Sequence, residues 1–146
     1  WERDNMYIAN REQLIVCTDR KSKYTKISYM KKLNSSWMNK ETKRLLTSTG
    51  KKVYTITNDN GTEFRGSEDI GVPIYYCTPM MPQQRGTVEN TVGLLRQFLK
   101  RTDDIKKISK EYLEYVETLI NFRPRKGLDY LTPYEVFYNK KVAMDY

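Results

Sequence analysis

The stretch VYTITNDNGTEF, residues 53–64, combines a strand-like run with an acidic residue and a turn. The apolar and β-branched side chains at 53–57 predict a strand, and Asp59 follows at its carboxyl end. Gly61 permits the tight turn that a strand ending in an exposed acid requires. The stretch therefore predicts a sheet that presents a carboxylate at the end of one strand.

A second acid, Glu89, comes thirty residues later in the stretch RGTVENTVGLLRQ, residues 85–97. It opens a pattern typical of an amphipathic helix, whose apolar face contains Val88, Val92, Leu95 and Leu99. If this helix packs beside the strand, Glu89 and Asp59 converge on one divalent cation, and Asp4 can supply a third carboxylate. Carboxylate oxygens suit Mg²⁺ or Mn²⁺.

The rest of the chain alternates between the two kinds of element. The patterns predict further strands at 6–8, 14–17, 24–29 and 74–77, with residues 19–23 as the basic tip of a hairpin. Helices are predicted from a cap at 34–36 to about 46, over 109–122, and after Thr132 with Pro133 at the first position. This order indicates an α/β fold, and 146 residues fit one domain, 1–146.

The absence of histidine narrows the possible chemistry. Without it the chain has no Ser-His-Asp or Cys-His nucleophile system and no histidine-ligated zinc. Cys17 and Cys77 lie in apolar runs, which predicts buried reduced thiols and a cytoplasmic protein. No apolar run approaches the roughly 20 residues of a membrane span, so no membrane partner is expected. Catalysis would therefore use carboxylates, lysine, tyrosine or a metal.

The charge balance favours a polyanionic partner. Lysine and arginine outnumber aspartate and glutamate by 26 to 18, and the pI is about 9.4, which indicates nucleic acid ahead of a membrane. The alternative is an ordinary solvated lysine surface. We expect a positive track on the Glu89 helix, formed by Arg96 and Lys100, to contact DNA backbone. A plain amphipathic helix is the alternative there.

A second group of cations follows the helix predicted at 109–122, at the turn around Pro124. The group contains Arg123, Arg125 and Lys126. These cations are candidate DNA contacts. Equally, they can satisfy the terminal carbonyls of the preceding helix.

Three blocks, TNDNGTEF at 57–64, RGTVENTVGLLRQ at 85–97 and NFRPRKGLDYLTPYEVF at 121–137, resemble the catalytic core of bacterial insertion-sequence transposases. The group is the DDE type, specifically the IS-thirty group, and retroviral integrases are more distant relatives. With WERD at 1–4 and TDRKSKYT at 18–25, the resemblance covers nearly the whole chain.

The resemblance implies an RNase H-like fold, with a mixed five-stranded sheet flanked by helices, and two bound Mg²⁺ or Mn²⁺ ions. It implies hydrolytic nicking at element ends followed by DNA strand transfer. The implied partners are the element ends and target DNA, bound by a homo-oligomer, in a bacterial protein associated with the nucleoid. Family members carry an amino-terminal helix-turn-helix region. Because the chain starts almost at the first expected strand, we expect an excised core without that region.

Carried over from the family, the catalytic metal ligands are Asp4, Asp59 and Glu89. The family commonly has glycine before the first aspartate, where this chain has Arg3. Asp19 is a rival first ligand, because it also ends a predicted strand, and its alternative role is a turn-forming aspartate.

Three polar residues beside the acids complete the predicted site. Asn60 and Asn90 are expected to make hydrogen bonds that orient the ligands, and Glu63 to orient its loop. Besides an active transposase core, two functions stay open: a DNA-binding domain of the same fold whose catalysis has decayed, and an RNase H-type nuclease without strand transfer.

Overall fold

The computed structural model describes residues 1–31 and 34–142, except for the side chains of Asn10, Glu63, Pro82 and Ile105. Five strands in this part form one sheet: β1 (Glu2–Tyr7), β2 (Gln13–Thr18), β3 (Thr25–Tyr29), β4 (Ile56–Asn58) and β5 (Ile74–Tyr76). Their order across the sheet is β3-β2-β1-β4-β5. β2 runs antiparallel to β1 and β3, whereas β4 runs parallel to β1 and β5. The predicted mixed five-stranded sheet is confirmed.

In residues 1–31 and 34–142, four α-helices flank the sheet: α1 (Ser35–Thr47), α2 (Gly86–Leu95), α3 (Lys110–Asn121) and α4 (Pro133–Tyr138). The predicted caps of α1, α3 and α4 are confirmed, because the side chains of Asn34, Ser109 and Thr132 each accept a hydrogen bond from the backbone of the first turn. Within the described residues, no helix is long and apolar enough to cross a membrane.

The apolar core lies on both faces of the sheet. Strand β2 shows why, since Leu14 and Val16 pack against α2 and α3 while Ile15 and Cys17 face α1. A strand buried on both faces reads as a continuous apolar run, as LIVC does. Cys17 and Cys77 are both free and buried, as predicted.

Three element boundaries differ from those that the sequence predicts. β1 begins at Glu2, before the predicted residues 6–8, because its early side chains are polar but buried among partners from distant elements. β4 begins at Ile56 and not at Val53, since its parallel partner β5 starts opposite Ile56. α2 ends at Leu95, where the backbone tightens into bonds between residues three apart, so the helix does not continue to Lys100.

Candidate active site

The sheet register brings Asp4 and Asp59 together. Glu2 of β1 pairs with Thr57 of β4 in the parallel ladder, so two residues further along both strands Asp4 lies level with Asp59. Because side chains alternate between the faces of a sheet, equivalent positions on neighbouring strands point the same way. Parallel pairing therefore places two acids, 55 residues apart in sequence, side by side.

Both carboxylates contact the guanidinium of Arg85. Arg85 Nη2 lies 2.5 Å from Asp4 Oδ2, and Arg85 Nη1 lies 3.4 Å from Asp59 Oδ2. The remaining oxygens accept local backbone bonds, Asp4 Oδ1 from the N–H of Asn5 at 2.8 Å and Asp59 Oδ1 from the N–H of Asn60 at 2.7 Å. Burial raises the pKa of Asp4, and Arg85 opposes that rise. Two carboxylates thus converge on one cation.

Glu89 lies apart from this pair. It belongs to the first turn of α2, which begins immediately after Arg85, and it is exposed. Among the described residues, no three or more Asp, Glu, Cys or His side chains lie close enough together to hold one metal ion. The structure brings Asp4 and Asp59 together and leaves Glu89 one helical turn beyond their shared arginine. Its role as a ligand stays a prediction.

Asp19, the rival first ligand, is engaged in the hairpin between β2 and β3. Its Oδ2 accepts hydrogen bonds from the backbone N–H and the hydroxyl of Ser22, at 2.8 and 2.7 Å. The Asp19 N–H in turn donates to the carbonyl of Tyr24. This is the geometry of a turn-forming aspartate. Asp4, and not Asp19, shares a cation with Asp59.

Arg3 lies on the opposite face of β1 from Asp4 and is fully buried. Its guanidinium donates four hydrogen bonds of 2.7–3.0 Å, to the side-chain oxygens of Asn58, Asn39, Thr42 and Ser67. Burial lowers the pKa of Arg3 to about 10. Since Asn58 directly precedes Asp59, Arg3 fixes β4 from the face opposite Asp4 and leaves the Asp4 side of the sheet free.

Glu2 is a structurally important residue that the sequence analysis missed. Its Oε1 accepts a bond from Arg20 Nε and its Oε2 one from the N–H of Val88, both at 2.7 Å. Arg20 also donates to the carbonyl of Gln84 at 2.5 Å. Glu2 thereby ties β1 to the hairpin tip and to the first turn of α2. Because Glu2 lies two residues before Asp4, the sequence predicts that both side chains lie on the same face of the sheet. The neighbouring sequence does not predict its hydrogen bonds to Arg20 and Val88.

The residues predicted to orient the acids have different environments. Asn60 bonds Asp59 through its backbone, and its side chain donates to the carbonyl of Cys77 at 2.5 Å, which fixes the loop after β4 to the end of β5. Asn90 is exposed on α2. The side chain of Glu63 lies outside the described part of the chain.

The predicted DNA contacts divide into exposed and engaged cations. Lys100, Arg123 and Lys126 are exposed, while Arg96 is half-buried at the end of α2. Because α2 ends before it, Lys100 does not continue the helical stripe of Arg96. Arg125 Nη2 donates to the carbonyl of Ile120 at 2.9 Å, so this arginine satisfies the end of α3, the alternative role for this turn.

The acids at the centre of the site suit a hard divalent ion. Asp4 and Asp59 present carboxylate oxygens, the donors that Mg²⁺ and Mn²⁺ prefer, and these oxygens already attract one cation. Asp59 is half exposed, which leaves a route from solvent.

No family model matches the chain. It is 33% identical over 141 residues to the transposase InsI of insertion sequence IS30A from Escherichia coli, a match that spans 93% of this chain and 37% of that protein. It is 40% identical over 89 residues to the transposase of IS4351 from Bacteroides fragilis, spanning 58% of this chain and 27% of the relative. The chain therefore spans about a third of the length of the curated relatives that it matches.

Two solved structures of retroviral proteins have the same fold. The catalytic core domain of BIV integrase superposes with a TM-score of 0.71 at 19% identity, covering 95% of this chain and 93% of that domain. A chain of the simian T-cell lymphotropic virus intasome, solved with a PP2A regulatory subunit, gives 0.78 at 19% identity, covering 99% of this chain and 55% of that chain. The chain is therefore a homologue of the IS30-group insertion-sequence transposases, and it has the RNase H-like fold of a retroviral integrase catalytic core.

Proposed function

We propose that this chain is the catalytic core of a transposase that nicks DNA at the ends of an insertion element and joins the freed 3′-hydroxyl to a target strand. The observation that carries the proposal is the placement of Asp4 and Asp59 at one level of neighbouring parallel strands, around one shared cation. The likeness to insertion-sequence transposases supports DNA as the substrate.

Asp4 and Asp59 would hold the divalent ions, two Mg²⁺ or Mn²⁺ in the family, and Glu89 would complete their coordination. When bound, such ions lower the pKa of the attacking water or 3′-hydroxyl and stabilise the leaving oxygen. We assign Glu89 as the third ligand because it lies one helical turn from Arg85, which contacts both other acids.

The surrounding residues would orient these ligands. Arg3 holds Asn58 from behind the sheet, and the bond from Asn60 to Cys77 holds the loop that carries Asp59. Glu2 accepts the N–H of Val88 and so fixes the first turn of α2 against β1. Placement of this kind is the main contribution of a protein to metal-dependent phosphoryl transfer.

DNA itself would be held by the basic surface, with Lys100, Arg123 and Lys126 as exposed candidates and Arg96 as a partly buried one. Lysine and arginine side chains of this kind bind DNA phosphates, and such contacts do not distinguish one DNA sequence from another. We also propose that the protein recognises the element ends and that several copies assemble on DNA.

Mn²⁺-dependent joining of a pre-cut oligonucleotide to plasmid DNA tests the activity. The unaltered chain should nick and join, whereas Asp59→Asn and Glu89→Gln should do neither and should still bind duplex DNA. Asp69→Asn is a matched control, because Asp69 is exposed and lies outside the site. Nicking without joining would indicate a nuclease, and binding without nicking would indicate a decayed DNA-binding domain.

Thermal unfolding tests the shared metal site without requiring turnover. A ligand at a hundredfold excess over its Kd adds about 2.7 kcal/mol to the free energy of unfolding. Millimolar Mn²⁺ should therefore raise the Tm of the unaltered chain and of Asp69→Asn, but hardly that of Asp59→Asn. An equal rise in Asp59→Asn would mean that the two aspartates do not share an ion.

A further inference from the structure

The side chain of Arg85 stands where the proposed metal would bind. It is buried at the junction between a short turn, Pro82–Arg85, and the start of α2. Its ion pairs within the described part of the chain are those to Asp4 and Asp59, and its Nε donates no hydrogen bond there. A buried guanidinium normally has most of its donors satisfied. Arg85 is thus held in place mainly by the two negative charges.

The two carboxylates need a positive charge between them. Adjacent carboxylates repel each other, and a cation within about 4 Å favours their ionised forms. Arg85 supplies this charge without a metal. A divalent ion on the same oxygens would repel the guanidinium, so the two cations exclude each other.

Resting on the proposed function, we propose that Arg85 is a built-in cation that holds the position between Asp4 and Asp59 in the metal-free core. When these two acids hold a metal, Arg85 would leave them and bind a phosphate of the DNA. No covalent step is involved. One side chain exchanges two carboxylates for one phosphate.

The surroundings of Arg85 suit a phosphate. Two further cations reach the same segment from the hairpin tip. Lys23 Nζ donates to the hydroxyl of Thr87 at 3.3 Å, and Arg20, which is paired with Glu2, donates to the carbonyl of Gln84. A Cβ built on the adjoining Gly86 would meet no atom within 4 Å, so the backbone is approachable here. The amino-terminal end of α2 adds positive potential.

The exchange makes metal and DNA binding mutually dependent. In the absence of metal, Arg85 is neutralised by the two acids and adds little to DNA affinity. Once an ion takes those acids, Arg85 is free to contact a phosphate. By thermodynamic reciprocity, DNA should then raise the affinity for metal by the same factor as metal raises the affinity for DNA.

The first test measures Mn²⁺ affinity without DNA, by isothermal titration calorimetry. Removal of the competing cation in Arg85→Gln should tighten Mn²⁺ binding by about tenfold, within the usual range of coupling between sites. Arg44→Gln is the matched control, because Arg44 also pairs with a carboxylate, Glu41, but lies on α1. Its Mn²⁺ affinity should not change.

Arg85→Lys keeps the proposal testable if the glutamine variant fails to fold. Lysine retains the charge but lacks the planar fork that contacts two carboxylates at once. Its Mn²⁺ affinity should lie between those of the unaltered chain and Arg85→Gln. Affinity equal to or weaker than that of the unaltered chain in the folded variants would overturn the proposal.

The second test follows the salt dependence of binding to a short duplex. With Mn²⁺ present, Arg85→Gln should reduce the slope of log K against log salt by about 0.9, the value for one phosphate contact. In chelator the slope should not change. An equal reduction in both conditions, or none in either, would refute the exchange.

Mn²⁺ binding by Asp59→Asn distinguishes failure of the exchange from failure of the proposed function. If Asp59→Asn binds Mn²⁺ as well as the unaltered chain does, the metal site and the function fail together. If Asp59→Asn loses Mn²⁺ binding while Arg85→Gln leaves it unchanged, only the exchange is wrong.

Discussion

Replacing Arg3 with alanine should strongly destabilise the fold. Arg3 is fully buried and donates four hydrogen bonds to neutral oxygens on β4, α1 and the loop after β4. Its guanidinium also lies 5.1 Å from the ring centre of Phe64. The substitution therefore removes hydrogen bonds that connect β1 to these three elements.

The magnitude follows from these contacts. Four hydrogen bonds from a charged donor contribute roughly 6–12 kcal/mol in total at about 1.5–3 kcal/mol each. Burial of a guanidinium without a carboxylate partner offsets several kcal/mol of this. With the cavity left by the side chain, we expect Arg3→Ala to lower the free energy of unfolding by about 3–5 kcal/mol.

Urea denaturation followed by tryptophan fluorescence, from Trp1 and Trp37, measures this loss. Arg44→Ala provides the control, since the side chain of Arg44 is 61% exposed and its surface ion pair should contribute below about 1 kcal/mol. A loss below about 1 kcal/mol for Arg3→Ala as well would show that burial of the charge cancels its hydrogen bonds, and would refute this reasoning.

Two further predictions concern the charged groups. Alanine at both Arg123 and Lys126 should reduce the slope of log K against log salt for duplex DNA by about 0.9 per lost phosphate contact. Arg125→Ala should instead lower the Tm and leave this slope unchanged, because Arg125 donates a hydrogen bond to the end of α3. An unchanged slope in the double variant would exclude this turn from the DNA interface. Because burial raises the pKa of Asp4 in the folded state, the folded chain binds this proton more readily than the unfolded chain. The free energy of unfolding should therefore fall as pH rises from the ordinary aspartate value of 3.8 through the raised pKa, and Asp4→Asn should reduce that fall in metal-free urea denaturation.

Features that depend on neighbouring residues were predictable from the sequence. The apolar spacing of α3 gives its buried ridge of Leu113, Val116 and Ile120, and Ser109 caps it as expected. The strand before Asp59 and the amphipathic character of α2 follow from equally local patterns. These patterns are short-range because helix capping and side-chain periodicity involve residues within a few positions of each other.

The first residue of β1 could not be predicted from the local sequence, because the burial of its side chains depends on residues that are distant in the chain. Its first half, with Glu2 and Arg3, is polar and carries no alternating apolar signal. Arg3 is buried only because side chains 36 to 64 residues away accept its hydrogen bonds. The pattern of neighbouring residues therefore predicts a strand that begins after Asp4. The structure places Asp4 within β1.

By itself the sequence determined the kind of protein: an α/β core with acids after a strand and on a helix, and a basic surface. Only the tertiary structure decided which acids meet. The register of β1 against β4 sets Asp4 beside Asp59, and the junction before α2 brings Arg85 between them while Glu89 stays exposed. Register and helix placement are set by packing across the whole sheet, so no local stretch of the chain specifies them.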